Sequence, residues 1–304
     1  MDLAYLRAHP QHLPTFLTHQ RIRETPVGGG SVSTASRLTL DDGTSVFTKT
    51  WPSGSPPEGF FQAEANGLAW LREAGVPVPE VLVTLPEMIA LEWIEPGEPS
   101  RTAAEQLGRD LAALHRAGAG RFGASWPGYI GPLPLDNTGS ERPWGVWFAE
   151  RRLLPYLRRS ADSGALTAVE VRAVEQIMTT ISAYGGNEAP ARTHGDLWPG
   201  NVQWGFDGRA WLIDPAAHGG HRETDLAELA LFGGAPHLAT ILAAYEEVHP
   251  LAEGWRDRVP IHQLHLLLVH TAAFGGSYRD AVRTAAAKAL GGHRIPPIPT
   301  GAVD

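Results

Sequence analysis

Not one cysteine occurs in the 304 residues. That absence excludes disulfides, cysteine-type zinc sites and a thiol nucleophile. Long apolar runs are missing too: no stretch of about 18 uncharged apolar residues is present, so no membrane-spanning helix is expected. The chain opens on Met1-Asp2-Leu3 without a basic segment leading into an apolar run, so no signal peptide is read there. An excess of positive charge is lacking as well. The formal balance of −8 disfavours nucleic acid and anionic lipid as partners. No internal repeat and no low-complexity tract is visible. These absences predict a cytoplasmic protein with no membrane or nucleic-acid partner, and a monomer is expected.

What is present is an ordinary globular composition, with 43% hydrophobic and 19% charged residues. The length suits one large domain or two moderate ones. Residues 1–25 read as a helical lead-in, broken by Pro10 and Pro14, with Leu3, Leu6, Leu13, Phe16 and Leu17 as its apolar positions. A glycine run follows at Gly28-Gly29-Gly30-Ser31. Two β-prone segments, Leu38–Leu40 and Ser45–Lys49, flank Asp41-Asp42-Gly43, a hairpin signal. A helix is predicted over 61–74, ended by Gly75 and kept from continuing by Pro77 and Pro79. Val81–Val83 and Met88–Leu91 read as strands, and residues 95–99 as a linker. Beyond it the pattern is mostly helical. Thr102 with Glu105 and Thr167 with Glu170 both have capping-box spacing. The first precedes an apolar stripe of Leu107, Leu111 and Leu114, the second one of Val171, Val174, Ile177 and Ile181. Residues 118–145, rich in glycine and proline, read as irregular. Helices are expected again near Trp147 and over 225–232, 237–248, 261–274 and 278–290.

Chemistry concentrates in His194-Gly195-Asp196-Leu197-Trp198-Pro199-Gly200-Asn201 and in Trp211-Leu212-Ile213-Asp214-Pro215-Ala216. Phosphoryl transfer from ATP needs a carboxylate to orient the acceptor hydroxyl and take its proton. It needs a second carboxylate and an amide oxygen to hold the metal ion on the phosphates. Asp196 and Asn201 have the spacing of a kinase catalytic loop, and Asp214 follows a strand-like run as a metal-binding aspartate does. Taken alone, an Asp–Asn pair in a loop is common turn chemistry. The upstream half adds weight: Lys49 ends a strand after the glycine run, and Glu64 sits on the next helix, in position to pair with it. The glycine run offers backbone N–H groups to phosphate.

Residues 194–201 resemble the signature of the fructosamine kinase (ketosamine 3-kinase) family. So do Ile213–Ala216, Gly220–Leu226 and Leu231–Gly234, with smaller matches at Gly28–Ser31, Leu107-Gly108, Leu114–Arg116, Tyr129–Gly131, Trp147-Phe148, Arg152-Leu153, Phe274-Gly275 and Tyr278. The matches run through nearly the whole chain in order. The resemblance implies an α+β, protein-kinase-like two-lobe fold. A small antiparallel-sheet N-lobe would span residues 1–93 and a larger, mainly helical C-lobe residues 94–304. It implies transfer of the ATP γ-phosphate to the 3-hydroxyl of a small-molecule or protein-bound ketosamine, a deglycation reaction. Asp196 would be the catalytic base, and Asn201 and Asp214 would hold Mg²⁺. Gly28, Gly29, Gly30, Ser31 and Lys49 would meet the phosphates, Glu64 would fix Lys49, and Glu92, Trp93 and Ile94 would form the hinge against adenine. Family members with a cysteine in the glycine loop can be redox-regulated there, which this chain excludes.

Some residues keep two readings. Trp198 would pack under the catalytic loop or form a flat wall for the sugar. Glu223 would contact the substrate amine or form a surface ion pair. His194 is expected to brace the loop, and Asp225 to accept its backbone N–H groups. The histidine pairs 218/221 and 265/270 lack a carboxylate motif for zinc. The cluster Arg151, Arg152, Arg158 and Arg159 reads as a solvated helix face. Two competing functions stay open: another small-molecule kinase of the same fold, acting on an aminoglycoside, choline or a related metabolite, and an ATP-binding pseudokinase. A protein kinase is disfavoured, since neither Asp-Phe-Gly nor Ala-Pro-Glu follows Asp214.

Overall fold

The computed structural model describes residues 3–18, 22–28, 32–184 and 186–292. Helices α1 (Leu3–Ala8) and α2 (Leu13–Thr18) lead into strands β1 (Arg23–Val27), β2 (Thr34–Thr39) and β3 (Ser45–Thr50). Next come α3 (Phe60–Glu73), β4 (Val81–Leu85), β5 (Met88–Glu92) and α4 (Arg101–Arg116). A short hairpin, β6 (Gly128–Ile130) and β7 (Leu133–Leu135), precedes α5 (Trp144–Phe148), α6 (Leu154–Asp162) and α7 (Ala168–Thr180). The short strands β8 (Ala191–Thr193), β9 (Val202–Trp204), β10 (Ala210–Leu212) and β11 (His218–Gly220) follow. The last helices are α8 (Arg222–Glu228), α9 (Leu238–Val248), α10 (Trp255–Phe274) and α11 (Arg279–Gly292). The chain divides into two compact units: residues 1–141 with 188–251, and residues 142–187 with 252–304. The lobe border expected after residue 93 falls inside the first unit.

The first unit is built on a five-stranded antiparallel sheet in the order β1-β2-β3-β5-β4. The Asp-Gly signal makes the β2–β3 turn: Gly43 has a φ of +82°. Asp42 Oδ1 accepts from the Thr44 N–H at 3.0 Å and from its hydroxyl at 2.6 Å. Alternation along β5 then serves both faces of the sheet. Ile89 and Leu91 join Phe61, Leu68 and Leu71 of α3 in one core, while Met88 and Ala90 join Leu6, Leu13, Leu38 and Val46 in another. The side chains of Phe16 and Leu17 lie outside the described residues. β1 was expected to belong to the helical lead-in. It is an edge strand whose side chains are almost all exposed, so it carries no apolar alternation to read, and Pro26 is tolerated because an edge needs no second ladder.

The core around α3 continues into α4, the β9–β10 ribbon, α8 and α9, through Leu107, Leu111, Leu197, Leu212, Leu226 and Ile241. α4 does not start at a Thr102 box. Ser100 is its cap, accepting from the Ala103 N–H at 3.1 Å, so Thr102 is already inside the first turn and Glu105 meets Arg101 instead. Residues 118–145 are less irregular than expected, since β6 and β7 pair with Gly128 opposite Leu135.

In the second unit the Thr167–Glu170 capping box is present as read. Val174, Ile177 and Ile181 are buried beside it, whereas Val171 is only half-buried. α10 begins ahead of the expected residue 261 and carries Pro260 near its start. Arg152 is not on a solvated face: it is 1% exposed, and its guanidinium lies 4.3 Å from the centre of the Trp147 ring. His265 and His270 each donate Nδ1–H to a backbone carbonyl, of Arg152 and Leu266 respectively.

One close approach in the first unit is testable. Gly108 costs α4 helix propensity, but a Cβ there would stand 2.2 Å from the Ile241 carbonyl oxygen and 2.9 Å from the Ala244 Cβ of α9. Gly108→Ala is expected to force these helices apart and to destabilise the protein by about 1–3 kcal/mol, read as a lower urea midpoint.

Candidate active site

The His-Gly-Asp segment runs between β8 and β9. β8 pairs with β11 and β9 with β10, so two short ribbons hold both ends of residues 194–201. The chain turns sharply at Gly195, where φ is +80°. A Cβ there would meet the Ala216 carbonyl oxygen at 2.4 Å and the His218 ring at 2.8 Å, so both conformation and space demand glycine.

The peptide N–H groups of this loop end on α8. Asp225 accepts from the His194 N–H at 2.8 Å and the Gly195 N–H at 2.9 Å. Glu228 Oε2 accepts from the Leu197 N–H at 2.8 Å. Asp225 also faces His115 Nε2 of α4 at 3.0 Å, and His115 Nδ1 lies 2.9 Å from the Tyr245 hydroxyl of α9. Burial would push the Asp225 carboxyl up, but His115 and the loop N–H groups more than reverse this and hold it below the usual range.

His194 is completely buried. Its Nε2–H donates to the Ile213 carbonyl at 2.9 Å, and its Nδ1 accepts from the Asp196 N–H at 3.3 Å. A neutral ring satisfies both bonds, and burial pushes its pKa down. It therefore braces the loop. Asp196 Oδ2 accepts from Asn201 Nδ2 at 3.1 Å, and the same nitrogen donates to the Asp196 carbonyl at 2.8 Å. Asp196 Oδ1 is buried with no hydrogen-bond partner among the described residues. Burial, then the charge of Asp214, raise the Asp196 pKa to about 7.

Asp214 follows β10 with a φ of +54°, a left-handed conformation that aspartate tolerates better than most side chains. The Ile213 N–H is tied to the Asn201 carbonyl at 3.1 Å, which links the two segments. Lys49 of β3 bridges two carboxylates: its Nζ donates to Asp214 Oδ1 at 2.5 Å and to Glu64 Oε1 of α3 at 2.7 Å. The Lys49 and Glu64 side chains are only 10% and 12% exposed, whereas that of Asp214 is 41% exposed. Burial alone would lower the Lys49 pKa, but the two carboxylates reverse this, and the ammonium stays charged.

These groups share one cavity of about 460 Å³. Gly28, Lys49, Glu64, Asp196, Trp198, Asn201 and Asp214 all line it. Gly29, Gly30 and Ser31 lie outside the described residues. Glu92, Trp93 and Ile94 are not part of this lining. The Glu92 N–H donates to the Glu80 carbonyl at 2.8 Å, and the Trp93 indole N–H donates to Glu95 Oε2 at 2.8 Å. Nor does Glu223 line the cavity. It is 1% exposed on α8, which corrects the surface-pair reading. His218 donates Nδ1–H to the Ala216 carbonyl at 2.8 Å, a bracing role rather than a metal ligand.

The sequence assigns no role to several neighbours, although His115, Tyr129 and Phe232 fall within the matched segments. Trp126 and Tyr129, from the stretch read as irregular, form part of the wall. His115 and Glu228 reach the loop from helices, where each looked like one more polar position. Phe232, exposed and with a φ of +52°, sits edge-on to Trp198 with ring centres 5.8 Å apart.

The donors offered to a cation are all hard oxygens. Asp214 presents a part-exposed carboxylate. Asn201 commits its amide nitrogen to Asp196 and leaves its oxygen. This set fits a Mg²⁺-like ion and gives a soft metal nothing to prefer.

The family profile described as fructosamine kinase matches residues 9–291. A probable ketoamine kinase of Thermus thermophilus is 38% identical over 258 residues, covering 84% of this chain and 90% of that protein. A crystal structure from Thermobifida fusca, of a protein provisionally named a fructosamine-3-kinase, superposes with a TM-score of 0.85 at 48% identity, over 91% of this chain and 98% of that one. An aminoglycoside phosphotransferase in ternary complex with ADP and hygromycin B shares the fold alone, at 17% identity and a TM-score of 0.58, over 92% of this chain and 96% of that one. The fold is thus the α+β, protein-kinase-like two-lobe type.

Asp225 gives this site its test. Asp225→Asn keeps the shape but turns an acceptor oxygen into an N–H donor facing donors. It is expected to cost about 3 kcal/mol of stability, read as a lowered midpoint in urea unfolding.

Proposed function

The chain belongs to the fructosamine kinase family, and on that premise we propose that it transfers the γ-phosphate of ATP to the 3-hydroxyl of a ketosamine. The observation that carries this reading is the single cavity that gathers Lys49, bridged to Glu64 and Asp214, together with Asp196 and Asn201. A phosphotransferase needs such a set, because catalysis of phosphoryl transfer is mostly positioning and charge compensation.

In this reading Asp196 is the catalytic base. Its carboxylate accepts the proton of the 3-hydroxyl while that oxygen bonds to the γ-phosphorus and ADP leaves. Its Oδ2 is held by Asn201, so the carboxylate cannot rotate freely. Lys49 meets the phosphates, and Glu64 keeps it pointed at them. Asn201 and Asp214 hold Mg²⁺, which when bound neutralises charge on the phosphates. Gly28 is read as meeting the phosphates together with Gly29, Gly30 and Ser31, which lie outside the described residues. Residues 1–93 act as the N-lobe and 94–304 as the C-lobe. Glu92, Trp93 and Ile94 are read as the hinge against adenine, although the Glu92 N–H is given to Glu80 and none of the three lines the cavity. Trp198 offers its indole face to the sugar ring, whose C–H groups pack well on an aromatic surface. Glu223, away from the cavity lining, gains no support as a contact to the substrate amine. The protein is read as a cytoplasmic monomer whose product, a ketosamine 3-phosphate, decomposes and so removes the sugar from its amine.

The experiment is Mg²⁺-dependent ATP consumption against a fructosamine, a ribulosamine, an aminoglycoside, choline and a no-acceptor control. Ketosamine-dependent turnover is expected. It should fall by about 10²–10⁴-fold in Asp196→Ala with ATP affinity largely kept, whereas Asp214→Ala should lose metal-dependent nucleotide binding and turnover together. Near-normal turnover in Asp196→Ala would reject the site assignment, and turnover confined to another acceptor would reject the substrate.

A further inference from the structure

We propose that Glu228 is a positioning residue for the catalytic loop and that it works as a neutral carboxylic acid. This rests on the reading of Asp196 as catalytic base. Glu228 is the last residue of α8, fully buried, and none of its atoms lines the cavity. Its Oε2 accepts the Leu197 N–H at 2.8 Å, the peptide that directly follows Asp196. Asp225, one turn earlier on the same helix, holds the Gly195 N–H at 2.9 Å, the peptide that directly precedes it. Asp196 is thus pinned from both sides by two carboxyl groups of one helix. The Asp225 half has the partners an anion needs: two peptide N–H groups and His115 Nε2. The Glu228 half does not. Its Oε1 is buried with no hydrogen-bond partner among the described residues.

An ionised carboxylate cannot sit comfortably with one buried oxygen unpartnered and two further carboxylates, Asp225 and Asp196, close enough to repel it. The groups whose charge it feels are Asp225 on its own helix and Asp196 on the loop; burial acts first, and both carboxylates add to it, so its titration is pushed well above the usual range. His115 of α4 is engaged by Asp225 rather than by Glu228. Protonation at Oε1 removes the charge and leaves Oε2 as a carbonyl-like acceptor for the Leu197 N–H. The loop is then fixed without a further negative charge placed beside the phosphate site. Glutamine has the same shape and the same neutral acceptor, so it should substitute. Aspartate, one methylene shorter, and leucine, with no acceptor, should not.

Linkage gives a second, activity-free readout. A carboxyl whose folded pKa is raised stays protonated in the fold but ionises in the unfolded chain once pH exceeds about 4.5. The stability it contributes is present below that pH and is lost as pH rises toward the folded pKa. Glu228→Gln has no such loss, so its Tm advantage over wild type should widen from pH 5 to pH 8.

The experiment measures kcat, the KM for ATP and thermal unfolding at pH 5 and pH 8 for wild type, Glu228→Gln, Glu228→Asp, Glu228→Leu and Asp196→Ala. The expected result is kcat within about threefold of wild type for Glu228→Gln. Glu228→Asp and Glu228→Leu should lose about 10–100-fold in kcat with KM for ATP nearly unchanged, the size of effect a small misplacement produces. Wild-type kcat in the Leu variant, beside a silent Asp196→Ala, overturns the positioning role alone. A Gln variant as slow as Leu, or a Tm difference that narrows as pH rises, overturns the neutral acid. If the Leu variant does not fold, the Gln and Asp variants carry both tests. Turnover that survives in Asp196→Ala overturns the phosphotransfer assignment and this inference with it.

Discussion

One ammonium group fixes the geometry of the whole cavity. Lys49 draws together β3, α3 and the segment after β10 through its contacts with Glu64 and Asp214. The gross attraction of such pairs is roughly 4 kcal/mol each at 4 Å and an effective dielectric near 20. Removing the Lys49 and Glu64 side chains from water costs a comparable amount. The net contribution to stability is therefore small, and what the contact supplies is position. The exposures differ: Lys49 and Glu64 are nearly closed off, while Asp214 keeps open surface, which the proposed transfer would need for it to exchange partners.

Around that bridge the site concentrates carboxyl groups, and each is managed by a different device. Glu64 and Asp214 share the lysine. Asp225 is satisfied by peptide N–H groups and a histidine. Asp196 is left half-satisfied, with Asn201 on one oxygen, and its raised pKa records the tension. A cation beside Asp214 would relieve it by cancelling the charge that now opposes ionisation of Asp196. The 194–201 loop is thus held by its backbone hydrogen bonds, while one oxygen of Asp196 has no partner among the described residues.

Features built from local chemistry were readable before any coordinates. The Asp-Gly turn, the Thr167–Glu170 box and the short apolar run Met88–Leu91 depend on neighbours in sequence, and each has the form its pattern predicts. The spacing from the glycine run to Lys49 and Glu64 put these side chains on facing elements, and they lie 2.7 Å apart. Features built from distant partners were not readable. β1 has exposed side chains, so its strand character comes only from pairing with β2. Thr102 and Ser100 both suit a helix cap, and only the exit of the chain from the linker decides between them. His115 meets Asp225 across 110 residues of sequence, and Glu228 reaches Leu197 across 31. On a helix each looks like any other polar position, because their burial is a tertiary fact.

The two-segment make-up of the first compact unit bears on how the protein is born. Lys49 and Glu64 leave the ribosome early, yet Asp214, the catalytic loop and α8 belong to the later segment, after all of residues 142–187 have been made. The second unit is likewise split, so neither can close until translation has passed residue 251. At synthesis rates of about 5–20 residues per second, the nascent sheet and α3 spend several seconds with their shared apolar face unmatched. The architecture that assembles the site from two separated segments of the chain delays its completion until the later segment has been made.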